Sequence, residues 1–212
     1  METSLKHEHS LWQKGYKLVA GVDEVGRGSW AGPIVAGAVA IEHKKLSQLK
    51  KQSWFKQVAD SKLLTPQKRE TIFKACEKKV IWSVGVVNNK EIDKIGIGSA
   101  NRRVIHLAVN NLPRKPNYIL TDYVAKLANE VAGIPTKVLV DGDAKVFSIA
   151  LASIMAKVYR DRLMIKYHAK YPGYGFAQNK GYGTAQHLVV LKKLGPSPLH
   201  RRSYRPVSAC LV

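Results

Sequence analysis

The chain has 212 residues, and 45% of them are hydrophobic, which is enough for one sizeable core that folds as a monomeric unit. Lysine and arginine number 35 against 15 aspartate and glutamate, and the formal net charge of +20 favours a polyanionic partner, most simply nucleic acid. No apolar run approaches the roughly 20 residues of a membrane-spanning helix, and the N-terminus shows no apolar signal segment, so a membrane protein is the weaker interpretation.

The N-terminal residues 1–17 are polar and irregular in pattern. His7 and His9 lie among them without other ligand types nearby, so we expect a frayed tail and not a metal site. The two cysteines, Cys76 and Cys210, lie far apart and form no metal-binding or redox motif. That usage is typical of a protein of the reduced cytoplasm.

The stretch 18–28 is the most informative part of the chain. Its apolar, β-branched first half predicts a buried strand that brings Asp23 and Glu24 to its end. A strand that leaves the core for solvent would also end in charged residues. The following Gly26-Arg27-Gly28 favours a site instead, because glycine lets the backbone approach a ligand closely and arginine offers a planar fork for phosphate.

Adjacent residues of a regular strand point to opposite faces, so Asp23 and Glu24 reach one site only through a bulge or because the strand ends there. The apolar run 34–41 predicts a second buried strand, paired with the first as a hairpin. The basic segment 44–58 then leads to Asp60-Ser61-Lys62. This loop fits a plain helix cap, because Thr65-Pro66 followed by Glu70 is typical of a helix start, and the alternative is a loop that contacts phosphates through Ser61 and Lys62.

Residues 67–79 are predicted to form a helix, 80–87 a strand, and 91–95 and 100–111 two helices. Two short apolar segments follow. The first ends in Asp122, and the second leads into Asp141 and Asp143. This alternation predicts an α/β fold with a mixed sheet flanked by helices. Such sheets build their sites at strand ends, so these acids join the first pair as candidates.

Residues 145–171 are predicted to form a long helix, on which Ser153, Lys157, Arg160 and Asp161 share one face. A solvated stripe with an internal ion pair would explain this face, and a face that braces the site is the alternative. The segment 171–183 is rich in glycine and tyrosine, and 185–194 is predicted to form a final helix. The C-terminus is most basic at 200–204.

Several of these segments together resemble one family. The sequence GVDEVGRG at 21–28 is similar to the opening motif of ribonuclease HII, the type 2 ribonuclease H family. Further similarity lies in Asp60-Ser61-Lys62, in SIMAKVYRD at 153–161, in KGYGT at 180–184 and in HRRSY at 200–204. The resemblance therefore spans most of the chain.

The resemblance implies a ribonuclease H-like mixed sheet with a small helical C-terminal region. The implied organisation is a tail at 1–17, a catalytic domain at 18–172, and a substrate-binding region with a basic tail at 173–212. The implied activity is hydrolysis of the RNA strand of RNA–DNA hybrids, together with a cut on the 5′ side of single ribonucleotides embedded in duplex DNA. Such a cut leaves a 3′-hydroxyl and a 5′-phosphate.

Phosphodiester hydrolysis needs an activated water and stabilisation of charge on the phosphate, which two divalent ions held by carboxylates supply. Mg²⁺ and Mn²⁺ prefer oxygen ligands, and the candidate ligands are Asp23, Glu24, Asp122 and Asp143. Asp141 and Asp161 compete for the fourth place. The family has a Gly-Asp pair shortly before the long helix, and Gly142-Asp143 matches it here.

The predicted substrate contacts are Gly26, Arg27, Gly28, Ser61, Lys62, Ser153, Lys157, Lys180 and Tyr182. The resemblance implies that the backbone of the glycine-rich turn and the Tyr182 ring recognise the ribonucleotide, with its 2′-hydroxyl, and its junction with the following deoxyribonucleotide. A tyrosine packed into the core is the simpler alternative for Tyr182. The surrounding glycines and Lys180 favour an exposed ring that stacks on substrate.

This sequence departs from the family pattern at Tyr123, Ser29-Trp30, Asn179 and Gly183, where the family has Gly, Pro-Leu, His and Pro. These changes affect the pocket that would read the junction and none of the proposed metal ligands. Two other functions stay open at this point. One is a metal-dependent nuclease of another kind, as integrases and resolvases are, and the other is a non-catalytic protein that binds hybrids or DNA.

Overall fold

The computed structural model describes residues 3–124, 127 and 129–211. Within them one sheet of six strands lies at the centre, with helices on both faces. The strands are β1 Leu18–Val25, β2 Ile34–Glu42, β3 Ile81–Val87, β4 Tyr118–Asp122, β5 Glu130–Val131 and β6 Ile134–Leu139. The helices are α1 Lys6–Gln13, α2 Leu46–Lys50, α3 Pro66–Cys76, α4 Asn89–Ile95, α5 Ile97–Asn110, α6 Gly142–Lys145, α7 Phe147–Lys170, α8 Phe176–Asn179, α9 Ala185–Leu194 and α10 Arg205–Ser208.

Along the sheet the strands follow the order β3-β2-β1-β4-β6-β5. β1 and β2 form the predicted antiparallel hairpin, with one-to-one pairing from Leu18 and Glu42 to Val25 and Val35. β4 lies parallel to β1, and β6 lies parallel to β4, so the prediction of a mixed α/β sheet is confirmed. Parallel neighbours bring their carboxyl ends to the same edge, and at this edge β1 and β4 deliver their acidic residues.

Helix α7 lies unusually close to one face of the sheet. A Cβ atom on Gly21 would lie 2.1 Å from the backbone carbonyl carbon of Ser148, and one on Gly37 would lie 2.4 Å from the carbonyl oxygen of Ala152. Glycine at these positions therefore lets the helix backbone pack directly on β1 and β2. As a result the first half of α7 is buried, and Ser153 contacts the end of β1.

Helix α5 covers the opposite face of the sheet. Its Val104, Ile105 and Ala108 are fully buried and pack with the alternate residues of β1 and β2. None of the helices in the described residues is long and apolar enough to cross a membrane.

The N-terminal segment differs from its prediction. Residues Lys6–Gln13 form α1 instead of a frayed tail, because Leu11 and Trp12 pack into the core beneath α7 and Glu8 is completely buried. His7 and His9 take no part in a metal cluster within the described part of the chain. The prediction of a frayed, irregular segment is wrong.

The C-terminal residues fold onto the turn that follows β1. Ala31 and His200 form an isolated antiparallel bridge, and Arg201 is completely buried. The backbone N–H groups of Arg202 and Ser203 each donate a hydrogen bond of 2.9 Å to the Asp93 carboxylate at α4. This basic segment is therefore part of the packed structure. The domain boundaries at 17 and 172 stay a prediction.

Candidate active site

Three of the four candidate acids border one cleft at the carboxyl ends of β1 and β4. The cleft has a volume of about 290 Å³ and is lined by Asp23, Glu24 and Asp122. The pairing of the two strands stops at Val22 and Thr121, so the acids follow directly after the last pair. Asp23 is almost fully buried, with 6% of its surface exposed.

Asp23 and Glu24 reach one site because the pairing of β1 with β4 stops before them, and not through a bulge or because β1 itself ends. Their pairing with β2 is regular, and the two side chains keep opposite directions. Asp23 is hydrogen-bonded by Ser153 of α7, whereas Glu24 Oε1 accepts a bond of 3.2 Å from Asn101 Nδ2 of α5. Since β1 runs on beyond its last pair with β4, both carboxylates border the same opening.

The carboxylates destabilise one another's charge. Burial and the neighbouring Glu24 raise the pKa of Asp23 well above its usual value, and the Ser153 hydroxyl offsets part of that shift. Burial also raises the pKa of Glu24 and that of Asp122. A buried group of anions without enough nearby cations favours the binding of a positive ion.

Asp143 lies in the first turn of α6, one helical turn beyond the end of β6, and not at a strand end. Its buried carboxylate accepts a hydrogen bond of 2.7 Å from Lys62 Nζ. The preceding Gly142 N–H donates a bond of 2.9 Å to Asp122 Oδ1, so the α6 turn is joined directly to β4. Asp143 also raises the pKa of Asp23 and Asp122, which shows that it lies close to the cleft.

The two competing acids are accounted for elsewhere. Asp141 is exposed, with a left-handed backbone at φ 56°, and its carboxylate lies 3.3 Å from Lys145 Nζ. Asp161 accepts a bond of 2.9 Å from Lys157 Nζ on the same helix, as predicted. The structure therefore leaves Asp143 as the acid best placed to join the other three.

The donor set fits a hard divalent cation. Its four members offer carboxylate oxygens alone, which Mg²⁺ and Mn²⁺ prefer. In residues 3–124, 127 and 129–211, no group of three or more Asp, Glu, His or Cys side chains is arranged closely enough to hold a metal ion without rearrangement. Lys62 Nζ is paired with one carboxylate oxygen of Asp143. Because the Lys62 side chain is exposed, it can move away from Asp143 at little cost.

The glycine-rich turn borders the cleft and is braced from behind. Gly26 has a φ of 88°, and a Cβ atom there would lie 2.2 Å from Arg160 Nε. Arg201 donates bonds of 2.7 Å to the Gly26 carbonyl and 2.8 Å to the Arg27 carbonyl. The Arg27 side chain itself is exposed, as is Gly28. The turn is therefore a fixed backbone with an exposed guanidinium, whose charge also acts on Glu24.

Two buried arginines supply this bracing: Arg160 lies on the face of α7 for which bracing the site is one of the two predicted roles, whereas the sequence does not predict the role of Arg201. Arg160 is completely buried and donates to the carbonyls of Ala31, Pro33 and Lys180. Its burial excludes a simple solvated stripe on this face of α7. For Arg201 the HRRSY resemblance is the available signal, but the sequence leaves open whether this basic segment packs on the core or contacts DNA.

The loop residues Ser61 and Lys62 line the cleft beside α7. The Ser61 and Ser153 hydroxyl oxygens lie 2.9 Å apart, and Ser61 is buried. The helix-start interpretation of this segment also holds, because Thr65 caps α3 by accepting from Lys68 N at 3.2 Å. The loop and the cap are therefore separate features, one after the other.

Tyr182 borders the cleft, whereas Lys180 does not. The Tyr182 ring centroid lies 5.4 Å from Lys157 Nζ and 5.3 Å from Arg160 Cζ, so the ring contacts two cations. Lys180 Nζ donates to the carbonyl of Ala177 instead, outside the cleft. Through its own carbonyl, Lys180 accepts a bond from Arg160.

Two departures from the family pattern form one structural change. A Cβ atom on Gly183 would lie 2.1 Å from the Trp30 ring. The Trp30 ring, larger than the leucine of the family pattern, therefore requires glycine at position 183. Asn179, in place of histidine, ties the Tyr182 turn together. Its Oδ1 accepts from Gly181 N at 2.7 Å, and its Nδ2 donates to the Tyr174 carbonyl at 2.8 Å.

Comparison with known proteins identifies the ribonuclease HII family. The family model for ribonuclease HII matches residues 20–207. A ribonuclease HII of Dehalococcoides mccartyi is 46% identical over 203 residues, covering 95% of this chain and 92% of that protein. One from Lactobacillus johnsonii is 47% identical over 208 residues, covering 98% of this chain and 78% of that protein. The crystal structure of ribonuclease H2 from Pyrococcus horikoshii OT3 superposes with a TM-score of 0.74 at 30% identity, covering 91% of this chain and 96% of that chain.

Proposed function

Because this chain belongs to the ribonuclease HII family, and is thus an endoribonuclease acting on RNA–DNA hybrids, we propose that it also cuts on the 5′ side of single ribonucleotides embedded in duplex DNA. The products are a 3′-hydroxyl and a 5′-phosphate. Membership of this family argues against the two alternative functions, an integrase-like nuclease and a non-catalytic binding protein. Action as a monomer in the cytoplasm stays a prediction.

One observation carries the proposed chemistry. Asp23, Glu24 and Asp122 share a cleft with the glycine-rich turn Gly26-Arg27-Gly28. The site would bind Mg²⁺ or Mn²⁺ through these carboxylates and Asp143. Two such ions, when bound, supply an activated water and neutralise charge on the phosphate.

The remaining groups position the carboxylates. Ser153 bonds to Asp23, and Asn101 bonds to Glu24. The Gly142 N–H fixes Asp122. Each acid therefore has a partner on a different element, so the donor atoms are oriented before substrate arrives.

Substrate recognition falls to the groups around the carboxylates. A single ribonucleotide differs from its neighbours only by its 2′-hydroxyl. The fixed backbone of the glycine-rich turn lets that hydroxyl approach, and the Tyr182 ring offers a flat surface to the adjoining sugar. The proposed phosphate contacts are Arg27, Ser61, Lys62, Ser153 and Lys157. Lys180 needs a rearrangement of its side chain to take part.

The test compares two variants of neighbouring acids. Asp122→Asn removes a proposed ligand, whereas Asp141→Asn changes an exposed acid at a left-handed position that asparagine also tolerates. With Mg²⁺ or Mn²⁺ and a long RNA–DNA hybrid, Asp122→Asn should abolish turnover while hybrid binding persists, since the positive field is unchanged. Asp141→Asn should cut like the wild type. Unchanged turnover in Asp122→Asn would contradict the assignment.

A further inference from the structure

The segment Thr3–Gln13, here named the N-terminal clamp, contacts both loops that carry the far side of the site. We propose that the N-terminal clamp positions Asp143 and the first turn of α7 for cation binding, with Glu8 as its central positioning residue. The proposal rests on the proposed function, because it assigns Asp143 to the cation site.

The first set of contacts lies at the junction of α6 and α7. Ser4 N donates a bond of 3.0 Å to the Lys145 carbonyl, and Phe147 N donates one of 3.0 Å to the Ser4 carbonyl. Ser4 thus forms a parallel bridge with Val146. The main chain directly after Asp143 is therefore fixed by two backbone hydrogen bonds from the opposite end of the sequence.

The second contact comes from Glu8. Its Oε1 accepts a bond of 2.9 Å from Ser148 N, in the first turn of α7. The residue at the usual capping position, Val146, has no side chain that can cap. Glu8 therefore supplies the missing acceptor at the start of a 24-residue helix, where a carboxylate is electrostatically favourable.

The burial of Glu8 is costly and calls for a purpose. The residue is 0% exposed, and its Oε2 has no hydrogen-bond partner among the described residues. Burial raises the pKa of Glu8, and the bond from Ser148 N opposes the shift. An apolar residue would fill this place in the core more cheaply, but it could not fix the Ser148 amide.

The third contact reaches the loop on the other side of the cleft. Thr3 Oγ1 donates a bond of 3.0 Å to the Val58 carbonyl, just before the turn that carries Ser61 and Lys62. Lys62 in turn contacts Asp143 at 2.7 Å. The N-terminal clamp therefore holds both chain segments that meet at the Lys62–Asp143 pair.

A cation site gains affinity when its ligands are fixed beforehand, because binding then orders less of the chain. Removing the Glu8 acceptor should free the α6–α7 junction, and Asp143 with it. The loss should therefore appear in cation binding and in local backbone opening. The affinity for hybrid should change little, since Glu8 bonds to Ser148 N and to none of the groups proposed to contact phosphate.

The experiment compares Glu8→Ala and Glu8→Gln with Leu49→Ala in α2, which weakens packing in the core cluster that also holds Leu11 and Trp12 but removes no hydrogen bond to the α6–α7 junction. Mn²⁺ binding is measured by titration calorimetry without substrate, and amide hydrogen exchange over 142–150 is measured without metal. For Glu8→Ala we expect about tenfold weaker Mn²⁺ binding, as for other residues that orient metal ligands. Exchange over 142–150 should be faster, and the KM for hybrid unchanged.

Glu8→Gln keeps an acceptor oxygen and should lie between Glu8→Ala and the wild type in both measurements. Leu49→Ala should lower stability yet bind Mn²⁺ like the wild type. If Glu8→Ala does not fold, wild-type Mn²⁺ affinity and exchange in Glu8→Gln would overturn the proposal. Equal Mn²⁺ affinity in folded Glu8→Ala and Leu49→Ala would overturn it as well. Failure of the wild type to cut hybrids would refute the proposed function alone, since neither measurement uses substrate.

Discussion

Lys62 Nζ lies 2.7 Å from Asp143 Oδ2, so the fourth acid of the site is paired with a lysine and not with another acid. The Lys62 side chain is 74% exposed, whereas that of Asp143 is 6% exposed. The hydrogen bond to Asp143 raises the pKa of Lys62 and keeps it charged. Lys62 thus competes with any cation for Asp143, and it is free to turn toward a phosphate once displaced.

This competition predicts opposite effects of Lys62→Ala on metal and substrate. The Mg²⁺ concentration for half-maximal activity should fall, because Asp143 loses its competing partner. The KM for hybrid should rise about tenfold, as expected for one charged hydrogen bond of roughly 1.4 kcal/mol. Lys68→Ala removes an equal charge from exposed α3 and serves as the control. Equal effects in the two variants would show that only overall charge matters.

Neutralising Asp23 should stabilise the protein while it destroys activity. Burial and Glu24 raise the pKa of Asp23 in the folded protein, so the ionised carboxylate destabilises the fold. The free energy of unfolding therefore falls as the pH rises through the pKa that Asp23 has in the folded protein. In the metal-free protein at pH 8, Asp23→Asn should therefore gain about 1–2 kcal/mol in the free energy of unfolding. At pH 4 the gain should nearly vanish. Urea denaturation at both pH values measures this, and destabilisation at pH 8 would contradict it.

A pair of buried histidines supports the Tyr182 turn. Ser197 N donates to His200 Nδ1 at 2.9 Å, so neutral His200 carries its proton on Nε2 and donates it to His187 Nε2 at 3.1 Å. His187 Nδ1 then donates to the Tyr182 carbonyl at 2.8 Å. The chain of bonds requires both rings to be neutral.

Acid should therefore weaken the fold at this pair. Burial and the neighbouring His187 lower the pKa of His200 to about 4, from 6.5. Since the unfolded chain takes up the proton first, this stability is present above pH 6.5 and is lost as pH falls toward 4. The free energy of unfolding should fall by about 3 kcal/mol over this pH range. His200→Asn should be less stable at pH 7 and show a flatter dependence between pH 6.5 and 4, as measured by denaturation. An unchanged slope would refute this prediction.

The contact between Trp30 and Gly183 predicts energetic coupling. Gly183→Ala alone forces a Cβ atom into the Trp30 ring and should cost about 1–3 kcal/mol. In a Trp30→Leu background the same change should cost less, with a coupling energy of about 1–2 kcal/mol in a double-mutant cycle. Thermal or urea denaturation of the four proteins gives this value. Strict additivity would show that the two positions changed independently.

The sequence predicted most elements because their periodicity was strong. The β1–β2 hairpin, the strand at 118–122, the helix at 185–194 and the long helix that became α7 all match closely. Asp23, Glu24 and Asp122 meet as expected because parallel strands align their carboxyl ends. The pairing of Lys157 with Asp161 followed from helical spacing alone.

What the sequence did not show depends on partners far along the chain. The burial of α1 depends on its packing beneath α7, and its polar residues concealed this. Arg201 is buried because carbonyls of the glycine-rich turn accept its donors, a contact across 175 residues. The sequence neighbours of Lys180 predict a place in the cleft, but its backbone is left-handed and its side chain donates to the local carbonyl of Ala177.

The most direct test of the central claim uses a DNA duplex that contains one ribonucleotide. The protein is incubated with it in Mg²⁺ or Mn²⁺, and the cut is mapped at nucleotide resolution with its end groups. We predict a cut on the 5′ side of the ribonucleotide that leaves a 3′-hydroxyl and a 5′-phosphate. Cleavage of long hybrids without any cut in this duplex would contradict the claim and would show that the pocket formed by the glycine-rich turn and Tyr182 does not read the junction.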